Sequence, residues 1–333
     1  MDLSLDPITK GPPVLPELSG KGIVFVNGCA DQLPNLPRVL KRVVGSVELR
    51  ESLSDIRGSA HHELVAVNFD SLPDQEREYL TRDFAFGPGK PRLLLLSEGH
   101  ARNYLASLFG AHTLTNMLVV NNKNVDICDF LVTIRKILKR DVFGLEKYFV
   151  WGTKTHSLRI SDSTQRGEVL DTIETYCHGL SIPRRLKSLV VSVADEFVTN
   201  ALYNAPVDEQ GKPRYANRSR TEPVRLEEGE EVEIKFCCDG WRFGIATTDP
   251  FGTLTPELLL DYLAKCFNKD TYEPDESKGG AGLGFYHIFE SLSHFIVNIA
   301  PGKRTEMIGL LDVSGSYRKF ARAGKSFNLF VGE

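Results

Sequence analysis

The sequence predicts an α/β protein in two domains, an N-terminal doubly wound parallel sheet followed by a C-terminal α+β domain. Its length of 333 residues is sufficient for two domains of ordinary size. In the first half, short apolar runs alternate with helical patterns, which is typical of a parallel sheet with helices on both faces. The second half contains helical patterns and strands that are adjacent in sequence, including a pair that reads as a hairpin.

The composition is typical of a soluble globular protein, with 41% hydrophobic and 25% charged residues. A net charge of -4 gives no indication of a surface for nucleic acid or for an anionic membrane. The cysteines show neither a Cys-x-x-Cys pair nor the spacing of a zinc site, so we expect reduced thiols. The first residues do not resemble a secretory signal, and no run approaches the roughly 20 apolar residues that a membrane span needs. We therefore expect a cytoplasmic protein that binds neither nucleic acid nor membrane.

Residues 1–20 are rich in proline and predict an extended leader, which precedes a first domain at 21–140. Apolar runs in this domain predict buried strands, because strands covered on both faces are continuously apolar. Helical patterns separate these runs and follow the last of them. The strands are expected at 21–27, 46–50, 63–69, 92–97 and 116–121, and the helices at 36–44, 74–80, 101–109 and 125–139.

The segment at 141–153 is predicted to link the two domains. Its residues 143–152 are rich in aromatic side chains and follow the last helix of the first domain. We expect these side chains to pack the two domains together, or to pack against a second copy in a homodimer. A role in stacking on a ligand has no support from the neighbouring residues.

The second domain is predicted at 154–333 and begins with an alternating strand at 155–160. Asp239-Gly240 predicts the turn of a β-hairpin. The polar segment at 206–230 predicts a loop or lid. The remaining elements are hairpin strands at 231–238 and 241–248, helices at 164–178, 183–204, 256–267 and 285–293, a polar loop at 268–278, and strands at 294–300 and 305–313, which are expected to close the domain.

The helix at 183–204 carries the first candidate site residues. Leu186, Val190 and Phe197 recur at helical spacing and predict one buried stripe. Glu196 and Asn200 lie four residues apart and therefore project from one face of the helix. A carboxylate can polarise a water or a hydroxyl, and a carboxamide oxygen one turn later can bind a hard cation such as Mg²⁺. Taken alone, this pair is explained more readily by a solvated polar edge.

Two further motifs follow along the chain. Asp249-Pro-Phe-Gly252 stands at the end of a predicted strand, where an Asp can accept a hydrogen bond from the amine of adenine. Gly280-Ala-Gly-Leu-Gly284 opens a predicted helix after a polar loop. Glycines let backbone N–H groups approach an anion, and a helix start adds a favourable dipole. A flexible turn explains these glycines equally well when they are considered alone.

In this order the motifs resemble those of the GHKL ATPase superfamily, the Bergerat-type fold of histidine kinases, gyrase, Hsp90 and anti-sigma-factor kinases. Glu196-x-x-x-Asn200 matches its N box. Residues 249–252 are a variant of its first glycine box, with Phe251 where a glycine is common, and residues 280–284 match the second. The resemblance covers 155–315, and residues 166–206 are most similar to the anti-sigma-factor serine kinases.

The resemblance implies an α+β Bergerat sandwich that binds ATP and Mg²⁺. It implies that Asn200 coordinates Mg²⁺, that Asp249 binds the adenine amino group, and that Glu196 activates the acceptor hydroxyl or a water. Phosphoryl transfer then depends mainly on positioning and on charge neutralisation. The further residues that it implies are Gly252 and Thr305 beside adenine, and Gly280, Gly282, Leu283 and Gly284 beside the phosphates.

Two residues carry alternatives within this resemblance. Lys278, just before the second glycine box, either adds positive charge near the γ-phosphate or is a solvated lysine of the lid. Asn204 stands where kinase-like relatives often have a histidine, and it either contacts phosphate or caps the helix.

The N-terminal domain resembles a response-regulator receiver domain. Asp70 ends the third predicted strand and Ser97 ends the fourth, where that family places its phospho-accepting Asp and its switch Ser/Thr. The first strand ends in Val26-Asn27-Gly28 in place of the family's acidic pair, and Lys123 only loosely matches the family's lysine. We interpret the domain as a degenerate receiver-like module for protein contacts, with Asp70 as a turn or helix-start residue.

The two resemblances together predict an ATP-dependent protein kinase that phosphorylates Ser or Thr on a protein partner chosen by the receiver-like domain. The alternative is a non-catalytic signalling module, in which ATP orders the lid and changes protein contacts. His61-His62-Glu63-Leu64 is similar to the phosphoacceptor box of sensor histidine kinases, but it precedes a predicted strand. A histidine autokinase is therefore the third hypothesis.

Overall fold

A computed structural model shows an α/β fold built on one large mixed sheet. Several predicted features lie outside the residues that it describes: most of the leader 1–20, most of the helix at 36–44, His61, Lys123 and most of the polar loop at 268–278. The described residues are 18, 20–26, 28, 40–41, 44–56, 62–82, 91–121, 124–268 and 283–332.

The first five strands are parallel, as predicted, and lie in the order β2-β1-β3-β4-β5. A short strand that was not predicted, β6, turns back and pairs antiparallel with β5. The strands are β1 (Gly22–Val26), β2 (Ser46–Arg50), β3 (Leu64–Asn68), β4 (Arg92–Ser97), β5 (Asn116–Asn121) and β6 (Asn124–Val125).

Helices cover both faces of this parallel part, which confirms its doubly wound arrangement. Successive residues of a strand point to opposite faces. Val65 packs in the core formed with Leu80 and Leu108, whereas Ala66 packs in a separate core with Phe130. Leu80, Leu108 and Phe130 belong to the helices α1 (Asp74–Arg82), α2 (Leu105–Gly110) and α3 (Ile127–Lys139), respectively.

The second half contributes six strands and five helices among the described residues. The predicted hairpin is present, and Gly240 in its turn has φ +92°. The strands are β7 (His156–Ile160), β8 (Val232–Cys238), β9 (Arg242–Asp249), β10 (His294–Ala300), β11 (Arg304–Asp312) and β12 (Ser326–Val331). The helices are α4 (Arg166–His178), α5 (Arg184–Thr199), α6 (Pro256–Phe267), α7 (Leu283–Ser291) and α8 (Tyr317–Arg322).

The expectation that the strand at 305–313 closes the second domain is wrong, because α8 and β12 follow it. β12 lies between the two halves, parallel to β10 and antiparallel to β5. Phe327 is opposite Met117, and the Leu329 amide donates to the Thr115 carbonyl at 2.7 Å. The described sheet therefore runs without interruption through both predicted domains, in the order β2-β1-β3-β4-β5-β12-β10-β11-β9-β8-β7.

The aromatic segment at 143–152 packs on the second half of the sheet, on the face opposite to α5. Leu145 and Tyr148 are buried there with Ile296 and Ile308. A side chain at Gly244 of β9 would collide with the ring of Phe149, so a glycine is needed at this contact. The predicted linker thus forms part of the core. Val150 and Trp151 project from it, and Trp151 is 99% exposed.

Charged pairs also join the two halves. The Arg242 guanidinium of β9 donates to both carboxylate oxygens of Asp129 on α3, at 2.6 and 3.1 Å. Burial disfavours the charged form of Asp129, but hydrogen bonds and positive charge from His294 and Arg242 lower its pKa to about 2. Within the described ranges, no helix combines the length and the apolar character that crossing a membrane requires.

Candidate functional site

The predicted helix that carries Glu196 and Asn200 is present as α5, but its last turn differs from the prediction. Its buried stripe includes Leu186, Val190 and Phe197. After Thr199 the backbone continues in a π-turn over Asn200–Asn204, in which the Ala205 amide donates to the Asn200 carbonyl at 3.0 Å. Such wide turns are rare within helices and are frequent at functional sites.

The π-turn places Asn200 and Asn204 in one hydrogen-bonded chain with an arginine from the polar loop. Arg220 donates to Asn204 Oδ1 at 2.8 Å, and Asn204 Nδ2 donates to Asn200 Oδ1 at 2.7 Å. Because a guanidinium is only a donor, Arg220 fixes the orientation of both amides. Asn204 therefore does not cap the helix, and it holds the oxygen of Asn200 that was predicted to bind Mg²⁺.

Arg220 is itself positioned by the same helix end. Its guanidinium carbon lies 4.7 Å from the ring centroid of Tyr203, which is buried. The Tyr203 hydroxyl donates to the Glu222 carbonyl at 2.9 Å and so fixes the loop beside it. Within the described residues, Asn200 Nδ2 and Arg220 Nη1 are buried without a hydrogen-bond partner. Both atoms are hydrogen-bond donors of the chain formed by Asn200, Asn204 and Arg220.

Glu196 lies at the contact between α5 and the start of α7. A side-chain carbon added to Gly284 would lie 2.7 Å from Glu196 Oε2, so the glycine lets the backbone of α7 approach this carboxylate. Burial raises the pKa of Glu196, the nearby Asp195 adds to this, and His287 and arginines oppose it. The structure thus brings together Glu196 and Gly284, two residues that the sequence predicts in one site.

A bidentate ion pair that was not predicted lies beside Glu196. Arg166 at the start of α4 bonds both oxygens of Asp195, through Nε to Oδ1 and through Nη2 to Oδ2 at 2.6 Å. Ser192 Oγ and His287 Nε2 are 2.9 Å apart and connect α5 with α7. These contacts fix the side of α5 from which Glu196 projects.

Asp249 lies at the end of β9 with its carboxylate buried. Oδ1 accepts hydrogen bonds from the backbone amides of Phe251 at 3.0 Å and Gly252 at 3.3 Å. Thr305 on β11 is directly opposite Asp249 in the sheet and is also buried. Burial raises the pKa of Asp249 to about 6, although the two amide hydrogen bonds oppose that shift. The predicted pair of Asp249 and Thr305 is therefore brought together.

Gly252 can only be a glycine in this arrangement. Its φ is +61°, and an added side chain would meet the Ala300 carbonyl oxygen and the amides of Lys303 and Arg304. The Gly302 amide donates to its carbonyl at 3.0 Å. The first glycine box is thus held against the turn between β10 and β11, and this contact fixes the loop that follows Asp249.

The Asp249 loop and the end of α5 form one unit. Thr253 Oγ1 donates to the Ala205 carbonyl at 2.9 Å. The Phe251 ring lies near the Arg214 guanidinium of the polar loop, at 5.6 Å from centroid to guanidinium carbon. The segment at 206–230 contains neither helix nor strand, as predicted, and it contacts both motifs.

The second glycine box is described only in part. Lys278, Gly280 and Gly282 lie outside the described residues. Leu283 is the first residue of α7, and Gly284 follows it against Glu196. The predicted helix at 285–293 is confirmed and begins two residues earlier than expected.

The parallel N-terminal part of the sheet has a small polar cluster at the carboxyl ends of its strands. Asp70 lies in a short turn over Phe69–Ser71, which confirms the expectation of a turn residue. Ser97 Oγ donates to Asp70 Oδ1 at 2.8 Å, and the Glu98 amide donates to Oδ2 at 2.5 Å. His62 precedes β3 and lies on no helix, so the histidine-kinase box is absent at this position.

Comparison with protein-family models and with curated proteins identifies no relative of this chain. No protein-family model matches the chain, and no curated protein matches it either. Among the described residues, no three His, Cys, Asp or Glu side chains cluster as a metal site. A site with one protein oxygen and a bound phosphate does not need such a cluster, because Mg²⁺ usually keeps several waters. Function is therefore inferred from the residues themselves.

Proposed function

We propose that this protein binds Mg-ATP in a Bergerat-type site and acts as a protein kinase of the anti-sigma-factor type on a protein partner. The observation that carries the proposal is the buried Asp249 carboxylate, fixed by the Gly252 loop and tied through Thr253 to the end of α5. This arrangement joins the adenine-recognition motif to the Glu196/Asn200 motif, which lie far apart in the sequence.

Asp249 is suited to accept a hydrogen bond from the adenine amino group. With a pKa of about 6, it is mostly ionised at pH 7 and therefore acts as an acceptor. A carboxylate buried in this way is strongly biased toward a ligand that donates to it, because few waters can reach it. Thr305 and Gly252 then form the wall beside the base.

The residues present fit a phosphate-bound Mg²⁺. Asn200 Oδ1 has a second lone pair besides the one used by Asn204, and one protein oxygen is sufficient when phosphates and waters complete the octahedron. The buried donors Asn200 Nδ2 and Arg220 Nη1 point to an anion that complements them. When bound, Mg-ATP supplies the phosphoryl group, and Glu196 accepts the proton of the acceptor hydroxyl. Its raised pKa makes it a stronger base than an ordinary carboxylate.

Calorimetry with ATP, with and without Mg²⁺, tests the proposal. We expect micromolar binding by the wild type in the presence of Mg²⁺ and its loss in Asp249→Asn, because the amide presents an N–H where adenine needs an acceptor. Asp171→Asn, on the exposed side of α4, is the matched control and should bind as the wild type does. Absence of ATP binding by the wild type would overturn the proposal.

A second candidate function is a non-catalytic switch, in which bound ATP changes protein contacts. It is favoured by β11, where Thr305 lies beside the nucleotide site and Glu306 accepts from the Gly144 amide at 2.9 Å on the opposite face. Glu196→Gln separates the two functions, with Glu168→Gln as control. Retained ATP binding with lost ADP formation supports the kinase, whereas unchanged activity supports the switch.

The receiver-like half is proposed to choose the partner. Its strand order is the one that doubly wound receiver and flavodoxin folds share, and Asp70 and Ser97 lie together at the carboxyl ends of β3 and β4. That edge is where ligands and partners bind in open α/β sheets.

A further inference from the structure

A cavity of about 410 Å³ opens where the two halves meet, at the edge of the sheet opposite to Asp70. Its walls come from the residues at the starts of β1, β3, β4 and β5, from the end of α3 and from the end of β12. This volume lies in the range of sites for small molecules. None of the motifs assigned to ATP lines it.

Positive side chains converge on this cavity. Lys21, Arg92, Lys136 and Arg140 line it, and Glu63 is the one acidic side chain among the described lining residues. Glu63 is engaged locally, since it accepts from the Gly22 amide at 2.6 Å and pairs with Lys21 at 3.5 Å. Among the described lining residues, basic side chains therefore outnumber acidic ones, although the whole chain has a net charge of -4.

Three of these basic residues have an energetically unfavourable backbone conformation or environment. Arg140 has φ +58°, a left-handed conformation that residues with a side chain rarely adopt. Burial, followed by the positive charge of Arg140, lowers the pKa of Arg92. Lys136 is buried, and its ammonium lies 4.5 Å from the ring centroid of Tyr148. Burial lowers the pKa of Lys136 to about 7. Strain and charge crowding of this kind collect at functional sites.

A buried amide adds a neutral polar group to the same wall. Asn116 Nδ2 donates to Thr115 Oγ1 at 3.0 Å, and its Oδ1 is buried without a partner among the described residues. Because a threonine hydroxyl can also donate, either orientation of the amide keeps its hydrogen bond to Thr115.

We propose that this cavity binds a small organic anion, a phosphate or carboxylate head held by Arg92, Arg140 and Lys136 and attached to a short apolar group. Guanidinium groups bind both kinds of head through paired hydrogen bonds. The apolar group lies against Ile137 and Phe330, which also line the cavity.

The position of the cavity gives such a ligand contact with both halves. Arg92 and Arg140 belong to the receiver-like half, whereas Phe330 belongs to β12. Lys136 Nζ lies 3.5 Å from Asn298 Oδ1, and Asn298 Nδ2 donates to Glu306 Oε2 at 2.7 Å. The anion therefore binds next to a polar chain that ends on β11, beside Thr305.

Calorimetry and thermal unfolding of the full chain test the proposal with phenyl phosphate, benzoate and neutral benzyl alcohol. We expect saturable binding of at least one anion, and the tighter of the two identifies the head group. Arg140→Gly should weaken that binding by about tenfold or more. The melting temperature of Arg140→Gly should equal or exceed that of the wild type, because glycine accepts a positive φ.

Arg92→Gln should weaken anion binding by a similar factor. Arg135→Gln, on the exposed side of α3, is the matched control and should change the affinity by less than about twofold. The proposal is overturned if neither anion binds saturably, if benzyl alcohol binds as tightly, or if Arg135→Gln weakens binding as much as Arg140→Gly does.

Discussion

At the scale of single residues, Asp249 serves the proposed recognition and lowers the stability of the free protein. Its pKa of about 6 exceeds the ordinary value of 3.8 because burial disfavours the charged form. Between pH 3.8 and about pH 6, the Asp249 carboxyl keeps a proton in the folded state that it releases in the unfolded state. Stability therefore falls as the pH rises through this window, and it stays lowered above pH 6.

We expect Asp249→Asn to stabilise the protein by about 1–2 kcal/mol at pH 8, because the amide keeps an oxygen for the backbone donors and carries no charge. The gain should shrink steadily as the pH falls from 7 to 4. Urea unfolding at several pH values measures it, and Asp171→Asn should show no such dependence. Equal stabilities of wild type and Asp249→Asn at pH 8 would contradict this assignment.

Substitutions at two glycines distinguish the free-energy cost of an unfavourable backbone conformation from that of a steric collision. Gly252 and Gly302 have similar positive φ angles, +61° and +67°, but only Gly252 is surrounded by backbone atoms. We expect Gly302→Ala to cost about 1–2 kcal/mol of unfolding free energy, from conformation alone. Gly252→Ala should cost about 3 kcal/mol or more, since overpacking is added. Denaturant unfolding measures both, and similar costs would show that the loop can move.

At the scale of elements, the helix α5 was predictable and its last turn was not. The stripe of Leu186, Val190 and Phe197 is a local signal, which sets the period and the buried face. The π-turn at 200–204 keeps apolar Ala201 and Leu202 inside, so the side-chain pattern does not distinguish it from a continued α-helix.

In the candidate site, too, residues within local sequence motifs could be predicted, whereas residues defined by tertiary contacts could not. Glu196, Asn200, Asp249, Gly252 and Thr305 were identified because each stands in a short motif. Arg220 was missed because it lies in a polar segment with several arginines, and only its tertiary contact with Asn204 sets it apart. The bidentate pair of Arg166 and Asp195 was missed for the same reason.

The chain from Arg220 to Asn200 predicts a specific effect on metal-dependent binding. Arg220→Met removes the donor that orients Asn204, so the oxygen of Asn200 is no longer held in place. We expect the Mg²⁺-dependent gain in ATP affinity to fall about tenfold, with little change in Mg²⁺-free binding. Arg218→Met, in the same loop and stacked near Tyr215, is the matched control. Calorimetry at two Mg²⁺ concentrations tests both variants, and equal effects of the two would refute the role of Arg220.

At the scale of the whole molecule, the parallel strands could be predicted but their union with the second half could not. Apolar runs such as 92–97 reveal buried strands locally. The pairing of Phe327 with Met117 joins residues far apart in the chain, and periodicity carries no information about such partners. The result is one sheet and a core shared by both halves.

Substitution of Phe327 tests whether the two halves unfold together. Its ring packs at 5.3 Å from Phe109 of the first half and at 5.9 Å from Phe295 of the second, measured between centroids. We expect Phe327→Ala to cost about 3–5 kcal/mol and to lower a single transition. Near-UV circular dichroism reports on the packed aromatic rings of the core, and far-UV circular dichroism reports on all helices. Transitions that separate would contradict a shared core.

The placement of β12 also has a consequence for synthesis on the ribosome. β5 is translated roughly 200 residues before the strand that covers its edge. At 5–20 residues per second, that interval is on the order of ten seconds or more. During this time the nascent first half exposes an open strand edge, the kind of surface that invites wrong pairing. Translation that stops before Ser326 leaves this edge uncovered. Incomplete chains therefore expose unpaired backbone groups that chaperones and proteases can recognise.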